Sequence, residues 1–350
     1  GVYTSIDSYV NRLCAIAVPE GNGQMDSHWI VNGRAALSGF LLFQVFESIY
    51  ETLERGEPRE ATFGGMLSWL ASSDVDPDDK PAHDLSQPPD AQSVPEPEAG
   101  GEDDDDDDEV SRLLLNAIGK ARSRGYPARV AEELGSLRQK PPRERGSVIS
   151  TAIGKLNIFK SAAIRARTSR SDLTFSNLRG LDGRPVTVYF DVPLEDAEAV
   201  GIPTGFFIEG AAAYLISQTE REARTRPVVF QLDEFWTLPK MEVIQQIPAL
   251  GRGQWVQLNL IGQSDQQVAL KLGEKALDVL KDAIAIRVYF AIASFKQAKE
   301  VSDSIGQITL EQANQNNNFG LDMGDMFKGQ ISRSFQGVPL VRPEELMSLE

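Results

Sequence analysis

The sequence predicts an α/β protein in which a parallel sheet covered by helices is joined to a long all-helical stretch. Three observations predict it. From residue 186 onward, short apolar runs alternate with helical segments, as in strand–helix units. Residues 27–166 read as helical apart from one insert, because apolar side chains recur there at helical spacing. The insert, 74–109, changes composition abruptly: Pro, Asp, Glu and Gly replace large apolar groups. The chain has 350 residues, 41% of them hydrophobic, which is room for one large domain or two ordinary ones with a sizeable core. Collagen-like, disulfide-scaffold and wholly disordered classes are excluded. A single cysteine, Cys14, excludes an internal disulfide framework and a multi-cysteine zinc site.

Taken in order, residues 27–57 predict a long helix. Asp26 or Ser27 can cap it, and Trp29, Ala36, Phe40, Phe43 and Ile49 mark its apolar spacing. Residues 62–71 predict a shorter one. The segment 74–109 holds 16 Asp/Glu and one Lys, a net of −15, whereas the rest of the chain is nearly neutral. It buries too little to offset ordering entropy, so a disordered acidic linker is expected, with Asp103 to Asp108 extended by self-repulsion. A calcium loop starting at Asp74 fails, because Asp79 stands where Gly is needed and Leu85 where Glu is needed. Helices are expected to resume at 110–123, 127–138 and 145–166, with Pro141-Pro142 marking the turn before the last. Residues 111–170 hold 14 Lys/Arg and three Glu, a net of +11. Solvated helix faces and attraction for nucleic acid or acidic protein both fit that balance. The acidic run can also screen it within a Debye length of about 8 Å.

Strands are expected at 185–190, 227–232, 255–261 and 283–290. Helices are expected at 203–223, 240–249, 265–281 and 295–305. In such sheets ligands lie beyond the carboxyl ends of the strands, here at 190–193, 233–236 and 262–265. The most apolar run, Thr204 to Ile216, is short and broken by Glu209, so no membrane span is expected. There is no signal-peptide pattern, and position 1 is Gly rather than Met, so a fragment of a longer protein is expected.

The chemistry centres on Val228-Val-Phe-Gln-Leu-Asp233-Glu234, an apolar strand ending in two carboxylates. This is the Walker B arrangement. Asp233 can hold magnesium through a water, and Glu234 can polarise an attacking water. A buried strand ending in an acidic turn would read the same. Gln231 interrupts the strand and must find a partner or face a cavity. A second strand ends in Ile261-Gly-Gln263-Ser264, where Gln263 could reach a γ-phosphate and Ser264 could cap the next helix. Arg252, between Gly251 and Gly253, is either an exposed arginine or a finger reaching a neighbouring subunit. No G-x-x-x-x-G-K-[ST] occurs, so residues 1–350 alone should bind ATP poorly. The only histidines, His28 and His83, make no Ser-His-Asp set.

The ordered set of motifs resembles the type IV secretion coupling proteins of the TraG/TraD type. The resemblance is carried by Met25-Asp-Ser-His-Trp29 through Leu37, Glu144 to Thr151, Thr168 to Leu173 and Thr187 to Pro193. It continues through Leu232 to Phe235, Ile261 to Ser264, Arg287 to Phe290 and Val338 to Glu345. It implies a RecA-like P-loop NTPase sheet, incomplete here, with an inserted all-α domain. Residues 1–26 would be a remnant of the nucleotide-binding domain, 27–166 the all-α domain and 167–350 the second half of the nucleotide-binding domain. The membrane helices and Walker A loop of the family would precede Gly1. The resemblance further implies ATP and Mg2+ as cofactors. Asp233 would serve the metal, Glu234 the water, Gln263 the γ-phosphate, and Arg252 would be the finger. It implies a homo-hexamer at the cytoplasmic face of the bacterial inner membrane. Partners would be relaxase or relaxosome, effector proteins, DNA and secretion channel components. An FtsK-like translocase and a non-catalytic docking module are the competing readings.

Overall fold

The computed structural model describes residues 2–20, 27–72, 109–191, 197–218, 225–290, 292–316 and 330–348. The acidic insert lies outside them except for Glu109, as does the proposed cap Asp26. The chain forms two compact units, Gly1–Ala283 and Ile284–Glu350.

The first unit opens with a helix that the sequence reading left unassigned, α1 (Val2–Ala17). Val10, Leu13, Cys14 and Ala17 are buried along it at helical spacing. Burial pushes the Cys14 thiol up to about 12, so this cysteine is structural rather than nucleophilic. The central helix is α2 (Ser27–Arg55), which buries Ala36, Leu37, Phe40 and Phe43. α3 (Phe63–Ala71) starts where the Thr62 hydroxyl accepts from the Gly65 amide at 3.0 Å. Its Trp69 lies 5.1 Å from Phe43 and 5.9 Å from Phe40, ring to ring. α4 (Glu109–Ser123) and α5 (Ala128–Arg138) form an antiparallel pair, with Gly125 in the left-handed region at the turn. α5 comes so close to α2 that a Cβ on Gly39 would sit 3.1 Å from Leu134.

α6 (Pro142–Ile153) begins with Pro142 in the first turn, where its missing N–H costs nothing. The helix expected over 145–166 is broken. Gly154–Lys160 is a 3-10 segment, and α7 (Ala162–Arg167) starts afresh after an extended Ser161. Leu156 and Phe159 are the buried residues of that segment, and their spacing of three matches the 3-10 period. Phe159 stacks on Phe63 at 4.6 Å, and Phe63 stacks on Phe206 at 4.8 Å, which ties the helical stretch to the next long helix.

That helix is α8 (Ala197–Ser217). It is crossed by a buried carboxylate, Glu209, 1% exposed. Glu209 accepts from the Arg12 guanidinium at 2.7 Å and from the Val243 amide at 3.1 Å. Burial raises its pKa against the pull of those donors. Contrary to expectation, α2 and the Val200–Ser217 part of α8 are each long and apolar enough to cross a bilayer by length and composition. One Glu in 18 residues does not lower the mean hydropathy enough to fail that test. Both helices run through the protein interior, where Leu37, Phe40 and Ala211 are fully buried.

Two strands follow, β1 (Val228–Leu232) and β2 (Val256–Leu260), paired in parallel from Val228↔Val256 to Leu232↔Leu260. The crossover between them carries α9 (Val243–Leu250). Phe230, Leu232 and Val256 are buried on one face, whereas Val229, Gln231, Gln257 and Asn259 are exposed on the other. Among the described residues the expected cover is therefore present on one face of the pair. α10 (Asp265–Leu272) and α11 (Glu274–Ala283) complete the unit. Residues 185–190, expected as a strand, carry no regular secondary structure and pair with no described strand. Apolar alternation favours an extended chain, yet a strand also needs a neighbour for its backbone groups.

In the second unit, the strand expected at 283–290 is likewise absent. Ala283 ends α11, and residues 284–290 carry no ladder. The alternation survives only as exposure, with Ile286 at 79% and Phe290 at 85%. α12 (Phe295–Ile305) is as expected. β3 (Gln307–Asn316) and β4 (Gln330–Pro339) form an antiparallel pair that the sequence reading did not assign. α13 (Pro343–Met347) closes the chain, with the Glu345 carboxylate accepting from the Arg342 amide at 2.8 Å. The small core is Ile292, Ala298 and Leu346, with Tyr289, Val301 and Val341 against it.

Candidate functional site

The carboxyl edge of the β1–β2 pair brings three of the four candidate residues to one side of the sheet. Leu232 is the last residue of β1, and its carbonyl accepts from the Ile261 amide at 3.0 Å, which carries the pairing one step past the strands. Asp233 and Glu234 leave β1 there, and Gly262-Gln263 leave β2 beside them. Both carboxylate residues are exposed. Glu234 adopts φ 50 and ψ 38, the left-handed region that a non-glycine residue enters at a cost. The turn is held by the Glu234 amide donating to Asp233 Oδ1 at 3.2 Å and by Thr237, whose amide and hydroxyl both donate to the Glu234 carbonyl at 2.9 Å. The next residue, Phe235, is buried and anchors the turn from below.

A cleft of about 680 Å³ lies alongside β1, with Asp233 and Glu234 in its lining together with Val186, Val188, Thr204 and Phe207. Exposed carboxylates on an open cleft suit Mg2+, which takes one or two carboxylates and otherwise keeps waters and phosphate oxygens. Among the described residues no three His, Cys, Asp or Glu side chains gather into an all-protein metal site. A smaller cavity of about 360 Å³ includes Arg12, Arg34 and Lys240 with Glu20, Glu209 and Glu242, so its charges balance.

Gln263 is exposed, and its Oε1 accepts from Gln267 Nε2 at 3.5 Å in the first turn of α10. Ser264 caps that helix, its hydroxyl accepting from the Gln267 amide at 3.3 Å, so the cap reading holds. Gln231 finds a partner: its Oε1 accepts from Asn259 Nδ2 at 3.0 Å, across the ladder on the exposed face. Arg252 is not with the others. It is exposed in a 3-10 turn before β2 starts, at the amino edge of the sheet. Five strand residues separate the two edges by about 16 Å, beyond the reach of an arginine side chain. Within one subunit Arg252 cannot serve the Asp233–Glu234 edge.

One residue that holds the site went unnoticed in the sequence. Arg179 is 4% exposed, and its guanidinium donates to the carbonyls of Arg226 at 2.6 Å, Gln254 at 2.5 Å and Trp255 at 3.2 Å. It fastens the entrances of both strands and so fixes their register at the far edge. Nothing periodic marks it, because its partners lie 47 to 76 residues away.

Comparison with known proteins places this geometry in a family. The family described as type IV secretory system conjugative DNA transfer matches residues 99–350. The chain is 27% identical over 197 residues to protein VirD4 of Rhizobium rhizogenes, covering 56% of this chain and 28% of that protein. It is 23% identical to the conjugal transfer protein TraG of Escherichia coli over 359 aligned positions, covering all of this chain and 50% of that protein. The chain thus spans half or less of the length of these relatives. In structure it resembles the plasmid coupling protein TrwB in complex with a non-hydrolysable ATP analogue. The TM-score is 0.56 at 15% identity, over 98% of this chain and 64% of that one. TrwB in complex with ADP and Mg2+ gives 0.53 at 12% identity. These structures support an α/β fold. The family match covers more than two thirds of the sequence, and on that ground the chain belongs to the type IV secretory system conjugative DNA transfer family, the coupling proteins.

Proposed function

We propose that this chain is part of a coupling ATPase that recruits DNA–relaxase complexes or effector proteins and delivers them to a type IV secretion channel. The observation that carries this reading is the exposed Asp233–Glu234 pair in a constrained turn at the carboxyl edge of a parallel strand, beside the strand that ends at Gln263. The reading takes residues 167–350, with 1–26, as parts of a RecA-like nucleotide domain and 27–166 as an all-α domain inserted in it. The phosphate-binding loop comes from outside residues 1–350, since no such motif occurs within them.

ATP with Mg2+ supplies the transferable phosphoryl group and its charge neutralisation. TrwB, the structural neighbour, has been seen with ADP and Mg2+ and with ATP and GTP analogues. Asp233 orients water on the metal side through the oxygen that its own turn leaves available. Glu234 holds the attacking water and accepts its proton. Its backbone is held by the two Thr237 contacts, which fix where the side chain leaves the main chain. Gln263 reports on the γ-phosphate through its amide. Arg252 acts from the amino edge of a neighbouring subunit, the placement that the 16 Å scale of the sheet leaves open to a finger (about 16 Å). This requires a closed ring, and a homo-hexamer at the cytoplasmic face of the bacterial inner membrane meets the requirement.

The test is Glu234→Gln in the full-length protein. Nucleotide binding should persist while turnover falls by about 10²–10⁴-fold. Unchanged hydrolysis removes Glu234 from the site. The family match favours a coupling protein over an FtsK-like translocase. The absence of G-x-x-x-x-G-K-[ST] from residues 1–350 favours a second reading, a non-catalytic docking module. Loss of both binding and turnover in the unsubstituted full-length protein would select it.

A further inference from the structure

One side of α8 is built from two glycines and a buried carboxylate. Gly201, Gly205 and Glu209 stand four residues apart, so they line a single face of the helix. The chain that leaves the Asp233–Glu234 turn runs along that face. A Cβ on Gly201 would sit 3.4 Å from the Thr237 carbonyl oxygen and 3.7 Å from Pro239 Cδ. One on Gly205 would overlap Pro239 Cγ and sit 3.7 Å from Met241 Sδ. A turn further on, Glu209 Oε2 accepts from the Val243 amide at 3.1 Å. Four helical residues rise about 6 Å, and two residues of chain span at most about 6.6–7.2 Å. The contacts at Pro239, Met241 and Val243 therefore keep step with the helix.

Both ends of this track are fastened. At the near end, Thr237 donates its amide and its hydroxyl to the Glu234 carbonyl, each at 2.9 Å, so the position of Thr237 is also that of the turn. At the far end, the Arg12 guanidinium donates to Glu209 Oε1 at 2.7 Å and to Gln246 Oε1 at 3.2 Å, which joins α1, α8 and α9. Glu209 lines the smaller cavity and not the cleft that holds Asp233 and Glu234, so it has no direct part in the nucleotide chemistry. Simple packing does not call for this face. Glycine weakens a helix interior, and an apolar side chain would fill the place of Glu209 without the cost of burying a charge. What the glycine at 205 supplies is close approach, and what the carboxylate supplies is a directed bond to one backbone amide.

We propose that Gly205 and Glu209 are positioning residues for Glu234: by seating Pro239 and holding the Val243 amide, they set where the carboxylate turn stands at the edge of the sheet. Gly205 fixes how near the chain comes to α8, and Glu209 fixes its place along the helix. Arg12 keeps the Glu209 carboxylate in place from α1. The inference rests on the reading of Glu234 as the group that holds the attacking water, and it adds residues that act on that group through the backbone alone.

The test is Gly205→Ala in the full-length protein, made beside Glu234→Gln. Alanine is the better helix former, so α8 should persist while the added methyl displaces Pro239. A misplacement of about 1 Å costs up to about 10²-fold in rate, so kcat should fall about 10–100-fold with the nucleotide Kd within about twofold of the parent. Hydrogen exchange at the Thr237 amide should accelerate in the same variant. Adding Pro239→Ala removes the ring atoms that the methyl meets, and should bring kcat back to within about threefold of Pro239→Ala alone. Glu209→Leu takes the acceptor from the Val243 amide and should repeat the loss. Glu209→Gln keeps an acceptor and should recover most of it. An unchanged kcat in Gly205→Ala overturns the proposal. So does a fall in kcat with an equal weakening of Kd, or one that Pro239→Ala does not relieve. If Glu234→Gln leaves hydrolysis unchanged, the reading of Glu234 fails by itself. The Thr237 exchange then decides the positioning alone: acceleration in Gly205→Ala upholds it and an unchanged rate overturns it.

Discussion

The helices α2 to α7 and the strand pair β1–β2 solve the same problem of burial to different degrees. α2 sinks Leu37, Phe40, Leu42 and Phe43 into contacts with α1, α5 and α6, and Trp69 closes the aromatic layer. The strand pair buries one face and exposes Val229, Gln231, Gln257 and Asn259 on the other. The unpaired residues 185–190, which line the same cleft as β1, leave Tyr189 86% exposed. A helix satisfies its backbone within its own segment, so side-chain packing alone completes it. A strand depends on a second segment for its hydrogen bonds, so an apolar alternation is only half of the instruction. In this chain, regions written for burial are finished and regions written for pairing remain open, and the candidate site sits among the open ones.

Phe40→Ala tests the closed side most severely. The side chain is fully buried, and its removal should cost about 3–5 kcal/mol of unfolding free energy in urea titration. A loss below about 1 kcal/mol would mean that the helical layer is loose and the contrast false. Arg179→Met probes the join between the two kinds of region. Methionine keeps the bulk but leaves the carbonyls of Arg226, Gln254 and Trp255 without this donor, at about 3 kcal/mol in all. Hydrogen exchange at the β1 and β2 amides should accelerate more than at α2. Uniform acceleration would make Arg179 a general core residue rather than the strand clamp.

The contrast also explains what could be read from the residues beforehand. The Thr62 cap of α3 became visible only in the structure, whereas helices α2, α3, α4, α5 and α12 were legible because apolar periodicity is a local signal. So were β1 and β2, whose apolar runs end in Asp-Glu and Gly-Gln-Ser. The strands expected at 185–190 and 283–290 were not realised, since each needs a partner that its own sequence does not contain. The β3–β4 pair escaped notice because after Ile308 and Leu310 the alternation dissolves into Glu, Gln and Asn. At the site, residue identity was readable and role was not. Arg252 is nearer to Asp233 along the chain than Gln263 is, yet the parallel register brings only Gln263 to the same edge.

Glu209 allows the closed side to be titrated. Burial raises its carboxyl pKa above the usual 4.5. A raised folded-state value means that the stability contribution of this group is fully present below the unfolded pKa and is lost as pH rises through the folded one. Glu209→Gln mimics the protonated form at every pH. Relative to the parent, the variant should therefore gain stability as pH rises from acid to neutral, read by urea unfolding at both ends. Arg12 and the Val243 amide still find an acceptor in the new amide. A difference independent of pH would place the ionisation elsewhere.

The smallest effect is expected on the open face, at Gln231→Ala. The side chain is exposed, and its one cross-strand bond, from Asn259 at 3.0 Å, competes with water on both partners. Removing it should change the stability of this chain by no more than about 0.5 kcal/mol, the usual range for a surface position. The same substitution in the full-length protein gives the sharper reading. If that face is covered there, the lost amide leaves Asn259 buried without its acceptor, and the cost rises to about 1–3 kcal/mol. Equal small effects in both settings would mean that the polar face of the sheet is a true outer surface. The distinction between closed helices and open strands would then be a property of the native protein itself.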